Sequence, residues 1–70
     1  MNKPNESLIR VSMPSSARIV DPRDPYKPIT SPEPRLYGTM GAQPGEVVYV
    51  TLDDGRGVLV ARANVTTEAP

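Results

Sequence analysis

Few residues here have chemistry to offer. Asp53 and Asp54 are the only adjacent carboxylates, the lysines are Lys3 and Lys27 alone, and the chain has no His and no Cys. Without His or Cys the usual general base near neutral pH, the thiol nucleophile and the commonest metal ligands are all missing. A serine nucleophile needs a base beside it, and two lysines are a thin supply. Consecutive side chains diverge in an extended chain, so Asp53 and Asp54 do not make a cation site by themselves, and turn formation is the plainer role for them. The expectation is a protein that is not an enzyme and carries no cofactor or metal.

Binding motifs are equally sparse. Pro22-Arg23-Asp24-Pro25 and Pro25-Tyr26-Lys27-Pro28 form two overlapping PxxP frames, whose prolines align on one edge of a polyproline helix. Such frames arise wherever prolines cluster, so a stiff spacer is the favoured reading. Gly38-Thr39-Met40-Gly41 imitates the GXXG loop that joins two helices in KH domains, but no segment of this sequence predicts a helix of sufficient length. The aromatic residues are Tyr26, Tyr37 and Tyr49, and the cations are scattered, which is a poor basis for direct sequence-specific nucleic-acid binding.

Positioning any site requires elements, and the chain has limited material for them. Its 70 residues include 15 Leu, Ile and Val and no Phe or Trp, with eight basic and eight acidic residues for a net charge of zero. Residues 1–35 carry a net +2 and residues 36–70 a net −2. A domain this small buries only about 60% of its unfolded surface, so its stability is marginal and part of the chain is expected to lack structure. The polar start, Met1-Asn2-Lys3-Pro4-Asn5-Glu6, and the absence of any long apolar run point to a cytoplasmic protein that does not enter a membrane.

The firmest element signal is a β-hairpin. Val47-Val48-Tyr49-Val50-Thr51-Leu52 and Gly57-Val58-Leu59-Val60-Ala61-Arg62 flank Asp53-Asp54-Gly55-Arg56, and Asp54-Gly55 suits a two-residue type I′ turn. That turn pairs Asp53 with Arg56, Thr51 with Val58 and Val50 with Leu59. One face then carries Val48, Val50, Leu52, Leu59 and Ala61, and the other Val47, Tyr49, Thr51, Val58, Val60 and Arg62. Pro44-Gly45 predicts a type II turn just before it. Leu8–Ser12 and Ala17–Val20 read as two further strands. Residues 21–34, with five prolines, read as irregular or polyproline chain, and Leu36–Ala42 as loop.

The predicted fold class is thus small all-β: a C-terminal hairpin in a three- to four-stranded antiparallel sheet, with a flexible N-terminus and a proline-rich irregular segment. Residues 1–6 and 67–70 read as disordered tails, and 7–66 as one β domain that includes a proline-rich loop over 21–45. A sheet of that size covers only one apolar face of the hairpin, leaving apolar or edge surface for a partner. The candidate partner-binding residues are Leu8, Ile9, Arg10, Val11, Arg18, Ile19, Tyr49 and Arg62, on a chain expected to be monomeric when free.

In length, in its Arg- and Pro-rich, Cys-free composition and in its hairpin ending, the sequence resembles the small transcription regulators of Xanthomonas-infecting phages. The resemblance is of overall build and carries over no functional residue. It implies a protein that binds bacterial RNA polymerase in the host cytoplasm, blocks promoter use and suppresses termination. A different class fits the same features: a phage virion decoration or joining protein whose proline-rich arm lies extended across neighbouring subunits.

Overall fold

The computed structural model describes residues 8–68. It is all-β, a single antiparallel sheet of seven strands: β1 (Ile9–Pro14), β2 (Ile19–Asp21), β3 (Asp24–Pro28), β4 (Arg35–Met40), β5 (Val47–Leu52), β6 (Gly57–Ala61) and β7 (Thr66–Thr67). The order across the sheet is β3-β2-β6-β5-β4-β1-β7, and the only helical turn among the described residues is a 3-10 turn at Arg62–Asn64.

Alternation builds the core. In β5, Val48, Val50 and Leu52 point inward and Val47, Tyr49 and Thr51 outward; in β6, Val58 and Val60 point inward. Val11 and Met13 of β1, Ile19 of β2 and Met40 of β4 complete the apolar cluster. Each fully buried valine or leucine contributes about 1.5–3 kcal/mol relative to an exposed one, so this small set carries most of the stabilisation.

Among the described residues no second layer covers the inner face; only Ala17, Ile29, Leu36 and Val65 pack against the cluster from outside it, so the sheet buries these residues by curling over them. Three strands separate β1 from β2, which in a flat sheet would place them about 19 Å apart at strand spacings near 4.8 Å. Yet residues 15–18 alone connect them, a reach of at most about 18 Å when fully extended. Part of that reach is consumed by a turn in which the Ala17 amide donates to the Pro14 carbonyl at 3.0 Å. The sheet therefore bends into a half-barrel around its own inner face.

Gly38 lies at the bend. It pairs with Val11 of β1 on one side and Leu52 of β5 on the other. A Cβ there would collide with the Thr51 carbonyl oxygen and stand 2.9 Å from Val50 Cγ1. A strand glycine in this position permits the close backbone approach that a barrel corner needs.

Several sequence expectations are corrected. The sheet has seven strands instead of three or four, because the segment read as proline-rich loop supplies β3 and β4 and residues 66–67 supply β7. Pro25 and Pro28 are tolerated in β3 since it is an edge strand, hydrogen-bonded on one side only. Leu36–Ala42, read as loop from its two glycines, contains most of the central strand β4. Thr67, assigned to a tail, pairs with Val11; the tail over 1–6 lies outside the described residues.

The turn between β5 and β6 also differs. The Gly55 amide donates to Leu52 O at 2.9 Å, the Leu52 amide donates to Arg56 O at 2.8 Å, and Gly55 alone of the loop has a positive φ, +97°. This is a three-residue loop, a type I turn followed by a glycine bulge, where the two-residue turn would need Asp54 left-handed as well. The register moves by one, to Val50 with Val58 and Val48 with Val60. All four valines then share the inner face, and Leu59 and Ala61 turn outward.

Gly38→Ala should lower stability by roughly 1–3 kcal/mol through overpacking at backbone, whereas Gly41→Ala, with nothing within 4 Å of its Cβ position, should stay within about 0.5 kcal/mol of the parent. Urea denaturation of the two variants checks this, and equal midpoints would remove Gly38 from the bend.

Candidate functional site

Antiparallel partners present their side chains on the same face, so the register maps the outer surface directly. Its first region lies over β1, β4 and β7. Arg10 donates two hydrogen bonds to Asp53, Nη1 to Oδ1 at 2.6 Å and Nη2 to Oδ2 at 2.7 Å, and its guanidinium lies 5.7 Å from the centre of the Tyr37 ring. Beside it the fully buried Ser12 hydroxyl accepts from Arg35, at 3.3 Å from Nε and 3.0 Å from Nη2, and donates to Glu68. A buried hydroxyl needs such partners, and these ones fasten β7 and the start of β4 to β1.

The carboxylates follow the same logic. The Arg10 side chain hydrogen bonds hold Asp53 below the usual carboxylate range against the opposing effect of desolvation. The Arg56 amide, assisted by its side chain, holds Asp54 down, and the Arg23 amide does so for Asp21. A carboxylate stabilised in its charged form is a weaker proton acceptor near neutral pH, the reverse of what general-base chemistry asks. Among the described residues no group of three or more acidic side chains is placed to hold a metal ion.

The second region lies over β2, β5 and β6. Val20 pairs with Leu59, Leu59 with Tyr49, and Ala61 with Val47, so these five side chains form a contiguous apolar patch facing outward. Val47 is 58% and Tyr49 46% exposed. Tyr49 lies across Gly57, where any Cβ would run into its ring. Arg18, Val20, Val47, Leu59, Ala61 and Asn64 line a shallow depression in this patch.

The eight residues singled out from the sequence do not form one surface. Val11 and Ile19 are core residues, 1% and 0% exposed, and meet no partner while the fold is intact; the curl that buries them was invisible in a four-stranded reading. Leu8 and Ile9 are exposed at the beginning of β1. Arg10 is occupied by Asp53, which in turn does not face Arg56 as the two-residue turn required; Arg56 pairs with Asp54 instead. Arg62 holds the loop before β5, donating to the carbonyls of Gln43 and Gly45, the latter at 2.8 Å. Of the eight, only Arg18 and Tyr49 belong to the patch.

Leu59, Ala61, Val20 and Val47 were missed as a group because the two-residue turn put Leu59 and Ala61 on the face of Val48, Val50 and Leu52, opposite Val47 and Tyr49. Gln43 was missed as well: its side-chain amide donates to Tyr49 O at 2.7 Å and accepts from the Tyr49 amide at 2.8 Å, continuing the ladder past the point where β4 diverges from β5. It thereby fixes the backbone on which Tyr49 is displayed.

Comparison with known protein families, with characterised proteins and with solved structures finds no match for this chain. No helix among the described residues is long and apolar enough to cross a membrane.

The depressed Asp53 value has a definite sign. Its contribution to stability is complete above the ordinary carboxylate range and is lost as pH falls through the lower, folded-state value. Asp53→Asn should therefore destabilise the protein at pH 7 but show a smaller drop than the parent between about pH 5 and pH 2, the interval over which a depressed Asp titrates. Urea melts across that range test it, and parallel losses in the two proteins would show that the Arg10 pair contributes nothing.

Proposed function

We propose that this chain is a small non-catalytic protein-interaction module that acts by docking on bacterial RNA polymerase and modulating transcription, through inhibition of initiation, antitermination or both. The observation that carries the first half of this reading is the outward patch of Val20, Val47, Tyr49, Leu59 and Ala61. Contiguous exposed apolar groups rimmed by polar ones are a common mark of protein-binding surfaces. The resemblance in overall build supplies the partner.

The face suits docking better than the edge. Strand addition needs a row of free amides; of the two edge strands, β3 carries Pro25 and Pro28, which have none, with Lys27 between them, and β7 is only two residues long. Proline and lysine are how natural sheets blunt an edge against pairing. A partner therefore meets side chains on β2, β5 and β6, and the rigid sheet behind them limits the ordering cost of binding.

Size-exclusion chromatography of the protein mixed with purified bacterial RNA polymerase at about 10 µM, above the Kd of any complex with micromolar affinity, should show co-elution. In vitro transcription should show altered promoter-dependent output or terminator read-through. Unchanged elution of both species, with unchanged transcript yields, would overturn the assignment.

A further inference from the structure

The basic side chains of the described residues divide into two sets. Arg10 is bound to Asp53, Arg23 to Asp21, Arg35 to Ser12, Arg56 to Asp54, and Arg62 to the carbonyls of the loop before β5. Arg18 and Lys27 make no ion pair among the described residues, and Arg18 has only a long contact, 3.4 Å, to the Pro25 carbonyl. At that distance a hydrogen bond is near its outer limit and holds the side chain weakly. Arg18 is also the single charged side chain lining the depression formed with Val20, Val47, Leu59, Ala61 and Asn64. The nearest acids in sequence do not line it: Asp21 is tied to Arg23, Asp24 starts β3, and Glu46 precedes Val47.

An apolar floor with one uncommitted guanidinium at its rim is complementary to a particular ligand chemistry. From these observations we infer that the depression receives a large apolar side chain from an acidic segment of a partner protein, with a neighbouring carboxylate meeting Arg18. Apolar contact supplies the affinity, and the charge pair sets orientation and rejects basic segments. Arginine suits the role because its planar fork accepts a carboxylate through two parallel hydrogen bonds. Tyr49, outside the depression itself, pairs with Leu59 of its floor; its ring lies across Gly57 and its backbone is clasped by Gln43, so the outward face beside the depression is held in place.

This inference rests on the protein-binding reading above, yet it can be tested without RNA polymerase. Two capped peptides with a Leu-Phe centre serve as probes, one flanked by Asp and Glu and the other by Lys and Arg. In an NMR titration of the amide-labelled protein up to about 1 mM peptide, enough to detect binding of millimolar Kd, the acidic peptide should shift the amides of residues 18, 20, 47, 49, 59 and 61. The basic peptide should leave them in place. Arg18→Glu should reverse the preference between the peptides, and Leu59→Asp should weaken binding of the acidic one at least about tenfold, the scale of losing a buried contact. Both positions face outward, and circular dichroism confirms that each variant keeps the sheet.

No shift with the acidic peptide, equal shifts with both, or shifts confined to another face would overturn the inference. Co-elution with RNA polymerase in that event would leave the proposed function standing on a different surface. Conversely, selective binding of the acidic peptide without co-elution would keep this site and discard the polymerase.

Discussion

The curl of the sheet is the constraint from which the other features follow. No second layer covers the inner face among the described residues, so every buried side chain is buried by the sheet turning on itself. That turning depends on a backbone approach between β4 and β5 that a side chain at Gly38 would prevent. Once the sheet closes in this way, Val11 and Met13 from one end of the strand order meet Ile19, Val58 and Val60 from the other in one cluster. A few β-branched residues, with Met13, Met40 and Leu52, then make up a core in a chain that has no Cys for a disulfide, which is the usual difficulty at this length.

Closing the inner face leaves the outer one to settle local geometry and contact with partners. On the β1 side, polar groups are used against one another: Asp53 ties the β5–β6 loop to β1, and Ser12 joins β4, β1 and β7 through Arg35 and Glu68. On the β2 side Val20, Val47, Tyr49, Leu59 and Ala61 form an outward apolar patch instead. Exposed pairs such as Arg10 with Asp53 add little stability each. Their larger effect is to hold register where the ladders are short, since β7 pairs over two residues and β4 with β5 over two.

The fold class was legible from alternation in Val47–Leu52 and Gly57–Ala61, because valine-rich runs around Asp-Asp-Gly have few other uses. The register was not, since Asp54-Gly55 serves a two-residue turn and a three-residue loop about equally well. The choice is made by whether four valines end on one face, a matter of packing that the turn sequence does not contain. Strand β4 was hidden by Gly38 and Gly41, which read as breakers although one is the bend itself. Strand β3 was hidden by its prolines, which exclude a central strand but permit an edge. With those two strands missing, a sheet of three or four strands could not close, and Val11 and Ile19 were left for a partner. The roles of Arg62, Asp53 and Gln43 come from contacts across the tertiary fold or with loop backbone, and local sequence carries no sign of them.

The strand order also governs how the chain reaches this state. β1, near the start of the chain, has as neighbours only β4 and β7, and β2 lies against β6 across most of the sequence. Adjacent hairpins such as β2–β3 and β5–β6 form locally, but β1 meets β4 only across residues 15–34 and β2 meets β6 only across residues 22–56. Such non-local pairing favours slow, late folding over growth outward from the first residues. Closure of the half-barrel thus waits on the β1–β4 and β2–β6 ladders, which bring together strands far apart in sequence, while the β5–β6 hairpin needs only its own turn.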